Sequence, residues 1–140
     1  MVRRGPYVSG VGIPWLPGVQ ALVRDGGDLA INDRGKTAQL FISNVLDGTV
    51  TRIDVSFNGG FNVVGSPTTI ASGFTFGPDS AGLVVGPAGL AYDNKKDILY
   101  IASEDDNEIF ALANASKLTS TSARARWYFL MRLIYTDPWD

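Results

Sequence analysis

Gly86-Pro87-Ala88-Gly89-Leu90-Ala91-Tyr92-Asp93 leads, through Asn94-Lys95-Lys96-Asp97, into Ile98-Leu99-Tyr100-Ile101-Ala102-Ser103, and then through Asp106-Asn107 into Glu108-Ile109-Phe110-Ala111-Leu112. About 60 residues earlier the chain says nearly the same thing. Gly27-Asp28-Leu29-Ala30-Ile31-Asn32 is followed by Leu40-Phe41-Ile42-Ser43-Asn44 and then by Asp47-Gly48-Thr49-Val50-Thr51-Arg52-Ile53. Each run is too short for a helix and rich in β-branched or aromatic residues. Two copies of one short-strand pattern decide the fold more than any single residue does.

Working outward, each copy reads as strands joined by tight turns. In the first, Asp28 to Asn32, Gln39 to Asn44, Thr49 to Phe57 and Thr68 to Ala71 are strands. Asp33-Arg34-Gly35-Lys36 and Asn58-Gly59-Gly60 are turn material, and Asp47-Gly48 is a hairpin signal. In the second, Leu90 to Asp93, Ile98 to Ser103 and Glu108 to Ala113 are strands, with Asp106-Asn107 at the place of Asp47-Gly48. Gly73 to Gly86 is a loop between them. Ala113 to Arg126 is the one helical candidate, and its Ser and Thr content argues against a long helix.

A four-stranded antiparallel meander has two broad faces and buries neither alone. Stacking such sheets face to face buries both. That accounts for central strands that read Leu-Phe-Ile and Leu-Tyr-Ile instead of alternating, and predicts cover on both of their faces. The fold class is therefore all-β: tandem four-stranded antiparallel meanders. Residues 1–24 form an irregular Gly/Pro-punctuated segment with one short strand near Val19 to Val23. Residues 25–75 form the first unit, and residues 76–135 the second, with an atypical C-terminal strand at Trp127 to Tyr135.

The run Gly86-Pro87-Ala88-Gly89-Leu90-Ala91-Tyr92-Asp93, with Leu99-Tyr100-Ile101-Ala102-Ser103 and Asp106-Asn107-Glu108-Ile109, resembles an NHL-type β-propeller repeat. The earlier copy is similar but has Gly26-Gly27 where that pattern has Gly-Pro. The resemblance spans Gly27 to Ala113 and implies a partial β-propeller of about two blades. It also implies a family often exported from bacteria, one branch of which, the streptogramin lyase relatives, relies on a His and a metal at the propeller centre. This chain contains no His, so that activity does not carry over. Two blades cannot close a ring of about four to eight. The expectation is a fragment of a longer propeller protein, a truncated gene product, or a short chain that self-associates through unpaired blade faces.

Composition narrows the function classes. The chain has 140 residues, 45% hydrophobic and 19% charged, which sets it apart from a disordered composition. Net charge is −2, against a dedicated nucleic-acid binder. Cys is absent as well as His, removing disulfides, thiolate sites and Ser-His-Asp triads. No apolar run reaches the roughly 18 residues of a spanning helix. Arg3-Arg4 precede a moderately apolar stretch, but Pro6, Pro14 and Pro17 break it, so it makes no convincing signal peptide and the compartment stays open.

The candidate sites are few. Glu104-Asp105-Asp106-Asn107-Glu108 clusters oxygens that suit a hard cation, yet lacks the calcium-loop spacing and also reads as a charged turn; Asp93 and Asp97 carry the same two readings. Asp47 and Asp106 occupy equivalent turns and are the one conceivable acid pair for glycoside hydrolysis. Gly82 to Gly86 lacks a phosphate-loop Lys and Ser/Thr. Asn114-Ala115-Ser116 fits a glycosylation acceptor. Trp127 to Tyr135, beside Arg124, Arg126 and Arg132, reads either as an outer strand or as a segment for a membrane surface or partner. No residue is assigned a catalytic, cofactor-binding or metal role. The leading function is a non-catalytic scaffold or binding module acting through its loops. The alternative is part of a propeller enzyme, of lyase or hydrolase type, whose catalytic blades lie outside this chain.

Overall fold

A computed structural model describes residues 26–80 and 84–123. The strands are β1 (Gly26–Asp33), β2 (Thr37–Asn44), β3 (Thr49–Ser56), β4 (Asn62–Val63), β5 (Thr68–Ser72), β6 (Gly77–Pro78), β7 (Val84–Val85), β8 (Pro87–Asp93), β9 (Ile98–Ser103), β10 (Glu108–Ala113) and β11 (Ser122–Ala123). The described residues are all β and turn, with no helix. The expected strand near Val19, the segment 1–24 and the Trp127 to Tyr135 strand lie outside them.

The first sheet runs β1-β2-β3-β5 antiparallel, with β4 beside β3 and β11 added parallel to β5 at the edge. The second runs β8-β9-β10 antiparallel, and β6-β7 is a small separate hairpin within the connecting loop. Neither sheet closes on itself. The two sheets share a register. In the first, Ile31 pairs with Leu40 and Leu40 with Ile53. In the second, Tyr92 pairs with Leu99 and Leu99 with Leu112. These residues are the repeat equivalents read from the sequence, so the repeat is structural as well as textual.

The hairpin turns match too. Gly48 (φ 59°) and Asn107 (φ 52°) each hold a left-handed conformation just before the third strand. Asn tolerates that region because its short amide bonds locally, and Gly because it has no Cβ. Gly48 is also confined: a Cβ there would strike the Phe74 carbonyl oxygen and come within 2.8 Å of the Phe76 ring.

The sheets stack through one apolar layer. Ala30, Phe41, Val50, Ile70, Ala71 and Phe74 from the first half meet Leu99, Ile101, Phe110, Leu112 and Ala115 from the second. Phe41 lies against Tyr92 at 4.9 Å between ring centroids, and Phe74 meets Phe110 edge-on at 5.1 Å. A second apolar cluster, Ala38, Ile42, Ile53 and Val55, occupies the opposite face of the first sheet.

One expectation is corrected. β2 is buried on both faces, but β9 is not: Leu99 and Ile101 are buried while Ile98, Tyr100 and Ala102 are only half-buried. The second meander has three described strands, its expected outer strand at Trp127 to Tyr135 lying outside the described residues. After β10 the chain turns at Asn114 (φ 56°), Ala115 sinks into the shared core, and the backbone at 115–116 is bonded to the first sheet. That anchorage carries the chain across, so β11 pairs with β5 and not with β10.

Phe41→Ala empties the centre of the layer and is expected to cost about 3–5 kcal/mol in chemical denaturation. Gly48→Ala is expected to cost more than about 1 kcal/mol, while Asn107→Gly, which keeps the left-handed turn open, shifts stability by less than about 1 kcal/mol.

Candidate functional site

The polar side chains gather at one end of the seam between the sheets. Gln39 and Arg52 lie on the face of the first sheet that carries Phe41, and both are buried. Gln39 Nε2 donates to Asp54 Oδ1 at 2.7 Å and to the Ser116 carbonyl at 3.0 Å. Arg52 Nη1 donates to the Ala115 carbonyl at 3.1 Å, and its Nε to Asp54 Oδ2 at 3.3 Å. Asn32 Nδ2 donates to Gln39 Oε1 at 2.8 Å. Swapping the Asn32 amide would bring its oxygen within reach of Arg34 but set it against Gln39 Oε1. Gln39 cannot turn to receive it, because its Nε2 already serves two acceptors, so the orientation with Nδ2 donating holds.

The second sheet answers with Asp97. Its Oδ1 accepts from the Tyr92 hydroxyl at 2.9 Å and the Ser116 amide at 2.9 Å, and its Oδ2 accepts from the Ser116 hydroxyl at 2.7 Å. Loss of water is the largest single influence on this carboxyl and works to raise its pKa. The two Ser116 bonds, the Tyr92 bond and the nearby Lys117 charge together outweigh it, and Asp97 titrates below the ordinary carboxylate range. Tyr92 moves the other way. Burial, then the bond to Asp97 and its negative charge, raise the phenol above its usual value.

Chemically this is a fastening. A carboxylate holding three hydrogen bonds with a depressed pKa is a poor proton acceptor near neutrality. A phenol with a raised pKa stays protonated. These bonds hold residues 115 and 116 against both sheets.

The far end of the seam is tied differently. Asp28 Oδ1 accepts the amide of Leu29 and Oδ2 the amide of Leu90, both at 2.8 Å. Leu29 and Leu90 are repeat equivalents, so one carboxylate holds the same position of both copies. The Ser43 hydroxyl accepts from the Asp28 amide at 2.9 Å and donates to the Ala88 carbonyl at 3.2 Å.

The residues singled out from the sequence fall as follows. Asp106 turns inward, its Oδ2 accepting from the Ser103 hydroxyl at 2.7 Å and the Thr75 amide at 3.0 Å. Asp47, Glu104 and Asp105 are exposed. The Asp47–Asp106 pair therefore has one member committed to holding the connecting loop. Asp93 caps its own turn through the Lys95 and Lys96 amides. Among the described residues no group of three or more such side chains is placed to hold a metal ion. The Ser116 hydroxyl of the Asn114-Ala115-Ser116 triplet is bonded to Asp97. Arg124, Arg126, Arg132 and residues 81–83 lie outside the described residues. No described helix is long and apolar enough to cross a membrane. Gln39, Arg52 and Asp54 went unread in the sequence because their partners at 115 and 116 are far along the chain.

The pH dependence follows from the two shifts. Asp97 has a lower pKa folded than unfolded, so its contribution is present above about pH 4 and fades as pH falls through the folded value. Tyr92 has a higher pKa folded, so its contribution is full below about pH 10 and fades as pH rises through the folded value. Denaturation midpoints across pH are expected to show a weaker acid-side loss in Asp97→Asn and a weaker alkaline-side loss in Tyr92→Phe than in the parent. Asn is tolerated at the left-handed backbone of residue 97 (φ 53°), which keeps the comparison clean.

Comparison of the chain with protein-family models, with curated proteins and with solved structures finds no match to any of the three.

Proposed function

We propose that this chain is a non-catalytic scaffold or binding module built from two NHL-like propeller blades. One observation carries the reading: the sheets stack head to tail. The first sheet covers the second with the face that holds Gln39, Phe41 and Ser43. The second answers with Leu99 and Ile101, whose repeat equivalents, Leu40 and Ile42, lie on the opposite face of the first sheet. Copies related in that way can be added repeatedly in one direction, which is how blades are set around an axis. β1 and β8, the first strands of each copy, lie against each other as inner strands do.

The polar groups support the non-catalytic part. Asp97, Asp106, Arg52 and Tyr92 hold backbone and side chains of this same chain, and a scaffold needs them only for that. Contact with a partner then falls to the loops, where Phe57 and Phe61 form an exposed aromatic pair and Val64 adjoins them in sequence.

The test is a panel of chromogenic esters, lactones, glycosides and phosphoesters, assayed with and without divalent cations. No turnover above the buffer rate is expected. Turnover that disappears in Asp47→Asn or Asp106→Asn would overturn the reading in favour of a propeller enzyme.

A further inference from the structure

The strands run lengthwise between two ends of the stack, and the charges divide between those ends. Every Lys and Arg among the described residues belongs to the end sealed by Gln39, Asp54 and Asp97. Arg34 and Lys36 sit in the turn between β1 and β2, Lys95 and Lys96 in the turn between β8 and β9, and Lys117 just past β10. These side chains are exposed; Arg52 is the buried exception, held within the seal by Asp54 and the Ala115 carbonyl. Of the described acids at this end, Asp33 alone is exposed. The opposite end exposes Asp47, Glu104 and Asp105 and has no described cation.

The cationic end also carries the loop between β3 and β4. The Phe57 amide donates to the Lys36 carbonyl at 2.9 Å, so the loop lies beside the Arg34–Lys36 turn. Phe57, Phe61 and Val64 are 47%, 42% and 51% exposed, and the two rings stand 6.1 Å apart. Asn62 Nδ2 donates to the Asn58 and Gly60 carbonyls and ties the loop between the rings.

We infer that this end docks on an anionic lipid bilayer, with Phe57 and Phe61 entering the headgroup region and Arg34, Lys36, Lys95, Lys96 and Lys117 over the acidic headgroups. This rests on the reading of the loops as the contact surface and names the partner.

Charge alone suits any polyanion, and the apolar side chains decide between them. A single-stranded nucleic acid is met by a basic groove with aromatic platforms for its bases. Here the rings stand out on a loop with an aliphatic neighbour, Val64, which gains nothing from a base and gains from leaving water at the acyl boundary. The net charge of −2 does not oppose the contact. A strand of 8 residues spans about 25 Å, whereas charges are screened within about 8 Å at physiological salt. A membrane at one end therefore senses the cations there and not the acids at the other. Each Lys or Arg close to an acidic leaflet strengthens binding about fivefold.

The test is co-sedimentation of the full chain with vesicles of phosphatidylcholine alone and of phosphatidylcholine with about one-quarter phosphatidylserine. Binding to the acidic vesicles, weakened by added salt, is expected, with little to the neutral ones. Lys95→Gln combined with Lys96→Gln is expected to weaken it more than about tenfold. Phe57→Ser combined with Phe61→Ser is expected to weaken it about tenfold. Glu104→Gln combined with Asp105→Asn, at the far end, is expected to leave it unchanged. All substitutions are at exposed positions, and the β circular-dichroism signal is expected to be kept. Equal sedimentation with both vesicle types overturns the inference, as does undiminished binding by the Lys95/Lys96 variant. Retention on heparin without sedimentation overturns it in favour of a soluble polyanion. Each of these results leaves the substrate panel and its reading untouched.

Discussion

One apolar layer between two sheets holds this molecule together. A twisted meander of a few short strands has too little interior of its own, because its side chains divide between two faces. Phe41, Val50 and Ile70 from one sheet and Leu99, Ile101 and Leu112 from the other become fully or nearly fully buried only by meeting. Polar bonds seal both of its ends. Asp28 and Ser43 tie the strands at one end, and Gln39, Arg52, Asp54 and Asp97 seal the other.

The two seals differ in kind. Asp28 joins backbone to backbone, the Leu29 and Leu90 amides sharing a carboxylate, and so locks one copy in step with the other. The opposite seal works through the chain leaving β10. Arg52 and Gln39 reach the 115 and 116 carbonyls, and Asp97 takes the Ser116 amide and hydroxyl. A buried guanidinium without these acceptors would be costly, since a charged donor left unsatisfied loses its full solvation. The same bonds direct the chain toward β5. Asp97, Arg52 and Gln39 are thus occupied in hydrogen bonds that hold the stack.

The head-to-tail relation gives the stack a direction. A molecule whose copies use the same face twice would be finished as a pair. Here the covering face of the first sheet and the covered face of the second are different by repeat position. At the equivalent positions of the second copy Gln39, Arg52 and Asp54 are replaced by Ile98, Ala111 and Ala113, so the polar fastening exists only once.

Much of this was legible in the residues, because it is local. Strand runs such as Leu99-Tyr100-Ile101, and turns such as Asp47-Gly48 and Asp106-Asn107, are set by neighbours within a few positions. The structure puts Gly48 and Asn107 in the same left-handed conformation, as the turn chemistry requires. The repeat itself was visible because equivalent positions face equivalent demands. Tertiary structure alone decided which face met which. Period-two alternation marks two faces of a strand without naming the partner of either. It also decided that Arg52 and Gln39 bond to residues 63 and 77 positions away, and that Asp97 is a fastening where Asp47 is a solvated turn residue. Those outcomes depend on contacts between segments distant in sequence, whose geometry exists only once the sheets have stacked.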